Sequence, residues 1–137
     1  MGSIANQIMK YLDNQGYGTE NVDLFYGFKP NTPDNCIIVY DESAPGLDES
    51  SCLEVDLYGI QILVRNTNYD TCYSVINAIH KEVAGFGGQV LIVGGDDISY
   101  VTVETSPTSL GKDDKGRSEW TSHYYVRATS ILNDWRL

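Results

Sequence analysis

Apolar residues follow a helical spacing in two stretches of the chain and alternate with polar ones in most of the others. Ile4, Ile8, Tyr11 and Leu12 share one face of a helix predicted over 3–14, Asn6, Gln7, Lys10 and Asp13 share the other, and Gly16 suits its stop. Short strands are predicted over 22–26 and 36–40, on either side of a turn-rich run holding Pro30 and Pro33. The acidic stretch 41–51, with Pro45 and Gly46, reads as a solvated loop. The β-favouring segment 53–66 changes phase. Leu53, Val55 and Leu57 carry its apolar face first, and Ile60, Ile62 and Val64 take over after Tyr58 and Gly59. A strand of period two switches faces only through an inserted residue or a change in what covers it. Gly59 is the expected position of a bulge or bend, which would let the two ends serve different surfaces.

The second helix is predicted over 69–84, with Cys72, Val75, Ile76, Ile79 and Val83 as its stripe, Asn68 as its cap and Gly85 after its end. A turn at 86–89 then leads to strands over 90–93, 98–105 and 120–131. The first of these connects to the next through Gly94, Gly95, Asp96 and Asp97, a hairpin signal. In the last strand Trp120, Tyr124, Val126 and Ala128 face one way and Thr121, His123, Arg127 and Thr129 the other, giving one packed and one wetter face. The order α-β-β-β-α-β-β-β predicts an α+β fold, a mainly antiparallel sheet with two helices packed on it, as a single domain over 1–137. The polar connection 106–118 is expected to be a mobile arm.

Composition narrows the class. A chain of 137 residues with 42% hydrophobic and 20% charged residues suits a globular domain. No apolar run approaches the roughly 18 residues of a membrane helix, so no membrane partner is expected. The N-terminus lacks a basic start and apolar stretch, which predicts a soluble, intracellular protein. The net charge is −10, and the seven acids Asp34, Asp41, Glu42, Asp48, Glu49, Glu54 and Asp56 meet no Lys or Arg between them. Phosphate binding needs Lys and Arg to displace condensed counterions. Here the sole basic cluster, Lys112, Lys115 and Arg117, is offset by Asp113 and Asp114, so no tight nucleic-acid binding is expected. Cys36, Cys52 and Cys72 form no CxxC pair and imply no disulfide framework.

Sites of chemistry are hard to find. His80 and His123 lack the HxH or HExxH spacing of metal ligands. The acids at 41–49 lack calcium-loop spacing. Gly94 and Gly95 precede no helix and no Lys-Ser or Lys-Thr, and no GxSxG elbow is present. No catalytic residue, cofactor or metal is expected. The ten tyrosines are too many for a core this small, and tyrosine and arginine favour protein contacts because each joins a large apolar body to a polar end. Tyr58, Arg65 and Arg127 are therefore candidate subunit contacts. Two other readings stay open: an acidic module that binds an unrelated protein and remains monomeric, and a small enzyme with a cleft of convergent polar groups.

The run Tyr58-Gly59-Ile60-Gln61-Ile62-Leu63-Val64-Arg65, followed by Asn66-Thr67-Asn68-Tyr69-Asp70 and an amphipathic helix, resembles the "minor capsid protein" family of tailed bacteriophages with Gram-positive hosts, whose members are tail terminators or tail-to-head joining proteins. The preceding short helix, strand, Pro-containing loop and apolar strand agree in order. The resemblance implies a ring, usually a hexamer, on the head-proximal end of the tail tube, with a monomer as the alternative state of the free protein. Its partners would be the tail tube protein, the head connector protein and other copies of itself, with DNA passing through the centre. It implies a place at the head–tail junction of the virion after synthesis in the host cytoplasm. Six copies of a chain at −10 would keep DNA from sticking in the channel. On this reading Lys112, Asp113, Asp114, Lys115 and Arg117 are the arm that touches the tail tube or the connector.

Overall fold

The computed structural model describes residues 3–44 and 55–129. Its elements are α1 (Ile4–Asn14), β1 (Leu24–Tyr26), β2 (Cys36–Glu42), β3 (Val55–Asn66), α2 (Tyr69–Ala84), β4 (Gly87–Val90), β5 (Asp97–Lys112) and β6 (Ser118–Thr129), the α+β order predicted from sequence. The strands form one sheet in the order β1-β2-β3-β6-β5-β4. Among the described residues the β1–β2 pair is parallel and the other four strand pairs are antiparallel.

Both helices cover the same side of this sheet. Ile4, Ile8 and Leu12 of α1 and Cys72, Ile76, Ile79 and Val83 of α2 join Leu24, Ile37, Val39, Ile60, Ile62, Val64, Ile98, Tyr124, Val126 and Ala128 in one core. Burying an Ile or Leu side chain fully contributes about 1.5–3 kcal/mol, so this stripe-on-sheet contact dominates the fold. Ser3 caps α1, its Oγ accepting from Asn6 N at 3.2 Å. Ser3 Oγ also donates to the Tyr26 hydroxyl, which donates to Asp41 Oδ2, while Asp41 Oδ1 accepts from Ala5 N. Asp41 and Glu42 thus belong to β2 rather than to the predicted loop, and Asp41 places negative charge at the N-terminus of α1. Asn68 caps α2 as expected, accepting from Thr71 N at 2.9 Å.

Gln7 departs from its predicted polar face. It is fully buried, donating through Nε2 to Asp96 Oδ2 at 2.8 Å and accepting through Oε1 from Asp96 N at 2.9 Å. This clamp fastens α1 to the β4–β5 connection. Gly95 makes room for it, since a Cβ there would lie 2.7 Å from Gln7 Oε1.

Three other expectations are corrected. No bulge interrupts β3 at Gly59: its ladder runs unbroken against β2 and against β6. The phase change arises because both faces are covered, Ile60, Ile62 and Val64 by the helices and Leu63 by a smaller cluster with Phe25, Cys36 and Ile38. Leu53, part of the proposed phase pattern, lies outside the described residues. The turn expected at 86–89 and the strand at 90–93 trade places, because Gly87–Val90 pairs with β5 as an edge strand, with exposed side chains and little hydrophobic signal. The connection 106–118 is mostly strand. β5 continues to Lys112 and pairs with β6 as far as Lys112 opposite Ser118, and its half-buried positions Thr105, Pro107 and Ser109 carry no apolar signal that would have marked it.

Candidate assembly surfaces

The side of the sheet opposite the helices has two different ends. At the end near the β5–β6 turn, the loop 27–35 folds over it. Arg65, 1% exposed, donates through Nη2 to Pro33 O at 2.7 Å and through Nε to Asp34 O at 3.2 Å. Lys29 pairs with the buried Glu119, and the Phe28 ring meets Phe25 edge-on at 5.5 Å. Arg117, also buried, donates through Nη1 to Asn31 O at 2.6 Å and pairs with Asp34 at 3.3 Å. Its Nε meets Asp113 Oδ2 at 2.8 Å. Burial pushes the Asp113 carboxyl up, but hydrogen bonds from Arg117 and Lys115 outweigh it and leave it below its ordinary value.

The structure therefore separates the residues that sequence reasoning grouped. Arg65 and Arg117 face inward and hold the loop to the sheet, and Asp113 accepts from Lys115 N and Arg117 N inside the turn. Lys112, Asp114 and Lys115 stay exposed at the hairpin tip. Tyr58 is half-buried and packs against the helix-side core. Arg127 lies on the opposite face, its guanidinium 5.8 Å from the centre of the Tyr100 ring. Several apolar side chains that carry no periodic signal are also exposed. Tyr69 and Tyr73, 48% and 44% exposed, lean on Trp120 with ring centres 5.5 and 5.0 Å apart, and Leu110 is 52% exposed on β5. This aromatic group joins the start of α2 to the start of β6. Sequence showed the tyrosine surplus but not which of them meet.

Away from the hairpin the second face is open among the described residues. Glu42, Ser43, Glu104, Thr105, His123 and Tyr125 line a cleft of about 380 Å³ there. Tyr125 donates to Glu104 Oε2 at 3.0 Å. That bond, followed by desolvation and the charges of Glu104 and Glu42, holds the phenol above its ordinary value. On the helix side His80 Nδ1 stands 2.7 Å from the Tyr124 hydroxyl, which also lies 2.9 Å from Ser122 Oγ. Burial lowers the His80 pKa.

A single curled sheet with helices on one side and exposed aromatic and charged groups elsewhere is an α+β subunit whose distinguishing features lie on its surface. The fold recurs in a chain of the solved "Virion of native gene transfer agent (GTA) particle", with a TM-score of 0.54 and 14% sequence identity over 77% of this chain and 78% of that one. A family model described as "Bacteriophage tail terminator protein" matches residues 11–130, and the chain belongs to that family. This agrees with the tail-terminator resemblance and gives the protein a structural role in a phage particle. No curated protein matches the sequence.

Proposed function

We propose that the protein forms a hexameric ring on the head-proximal end of the tail tube, stops tube growth and presents a docking face to the head connector, with DNA passing through the ring. The observation that carries this reading is the tail-terminator family match over 11–130. The excess of acids supports it, because a negative channel wall would not retain DNA. The exposed Tyr69 and Tyr73 rings, resting on the half-buried Trp120, support it as well, being the kind of aromatic surface that neighbouring subunits cover. In this ring Tyr58 and Arg127 contribute to subunit contacts, and the hairpin tip meets the tube or the connector.

Deleting the whole arm would be a poor test, since it removes the Arg117 and Asp113 contacts that hold loop 27–35. The double charge reversal Lys112→Glu with Lys115→Glu changes only exposed side chains, gives up one exposed bond from Lys115 Nζ to Asn31 Oδ1 at 3.3 Å while leaving the Arg117 anchor in place, and should change stability by no more than about 0.5–1 kcal/mol. In a reconstitution of tails with heads it should lower joining at least about tenfold, equivalent to roughly 1.4 kcal/mol of lost docking. Joining at the wild-type level would refute a contact role for the tip.

A further inference from the structure

The open face brings three metal-ligating side chains together from strands far apart in sequence. His123 Nδ1 on β6 lies 2.9 Å from Glu42 Oε1 on β2. Glu104 on β5 completes a group whose ligand atoms all lie within 4.8 Å of one another. Two ligands about 2.1 Å from one ion sit roughly 3.4 Å apart in a tetrahedral shell, so an ion would replace the 2.9 Å His123–Glu42 hydrogen bond, with the two atoms moving apart by about 0.5 Å and small rotamer adjustments bringing Glu104 to the same distance. Among the described residues no Lys or Arg forms an ion pair with either glutamate, although like charges converging across strands destabilise a sheet.

The arrangement depends on features that do not serve the fold alone. Gly59 lies in the row between Glu42 and Tyr125. A Cβ there would stand 2.6 Å from Ser43 O and 2.8 Å from Glu42 O, so the missing side chain lets the end of β2 close over the sheet and deliver Glu42 to His123. Tyr125 holds Glu104 from the outer shell, as carboxylate ligands are commonly held. The cleft in front of the group leaves space for water to complete the coordination.

We propose that Glu42, Glu104 and His123 form a binding site for one divalent transition ion of the Zn2+ class, which ties β2 to the β5–β6 hairpin. One imidazole with two carboxylates suits Zn2+ better than Ca2+ or Mg2+, which favour all-oxygen shells. The site is separate from the tail-terminator reading and stands or falls independently of it.

Calorimetric titration of the metal-free full-length protein with Zn2+ tests it, with Co2+ absorption reporting the donor atoms. The expected result is one ion per chain and a cobalt spectrum without a thiolate charge-transfer band. His123→Ala and Glu104→Gln should each weaken binding at least tenfold, and Tyr125→Phe about tenfold through the outer shell. Thermal melts without metal confirm that each variant is folded, and Zn2+ should raise the melting temperature of the wild type more than that of His123→Ala. Absence of saturable binding, a cobalt–thiolate band, or equal affinity in folded His123→Ala and Glu104→Gln would overturn the proposal.

Discussion

The substitution Gln7→Leu probes how the first helix is fastened to the far end of the sheet. It preserves most of the side-chain volume but removes both hydrogen bonds to Asp96, a residue 89 positions away and 7% exposed. The backbone N–H and a carboxylate oxygen then lose their partners in a buried setting. Each unsatisfied group costs about 1–3 kcal/mol, the charged one toward the upper end, so the pair amounts to about 3–5 kcal/mol. Against a total stability of about 5–15 kcal/mol this is a severe loss. With a urea m-value near 2 kcal/mol/M, the unfolding midpoint should fall by roughly 2 M. Gln7→Glu adds a sharper sign: at neutral pH it sets two carboxylates face to face, and acidification should recover part of the loss. A midpoint shift below about 0.3 M for Gln7→Leu would show that the clamp does not hold the helix and would refute the reasoning.

Other expectations concern buried ionisable groups. Burial pushes the Tyr124 phenol up to about 12 against an ordinary value near 10, so the folded state holds this proton more tightly than the unfolded state. Its contribution is whole below the unfolded value and is lost as pH rises toward the folded one. Urea-derived stability should therefore fall more steeply through that window in the wild type than in Tyr124→Phe, and equal slopes would contradict the assignment. His80 works in the opposite window: its lowered pKa means that stability is lost as pH falls from the unfolded value through the folded one, a component that His80→Gln should abolish. Burial raises the Cys72 thiol to about 11, and its Sγ donates to Val64 O at 3.1 Å. Peptide mapping after iodoacetamide treatment should find Cys72 protected in the native protein and modified in urea, and rapid native modification would show that the site opens.

The helices were legible because their stripes span several turns and their caps are local. Asn68, Tyr69–Ala84 and Gly85 carry the whole signal of α2 within one window. The order of elements followed from the same periodicities. Strand pairing did not, since nothing local shows that β6 inserts between β3 and β5. The distal half of β5 was hidden for a physical reason: it is held by backbone pairing along a hairpin, and the half-buried positions of its alternation are Thr105, Pro107 and Ser109, which are not apolar enough to mark a strand. Arg65 and Arg117 misled because charge predicts a surface, whereas here the guanidinium groups satisfy loop carbonyls under cover. His123 had no recognisable metal spacing because its neighbours come from β2 and β5, and only the folded sheet, cleared at Gly59, brings them within reach.

Electron microscopy of purified tail tubes mixed with this protein addresses the proposed role most directly. Extra ring-shaped density should appear at one end of each tube, and tubes so occupied should neither lengthen when tube subunits are added nor fail to accept heads. Binding along the tube wall, no binding at either end, or continued growth of occupied tubes would contradict the terminator ring.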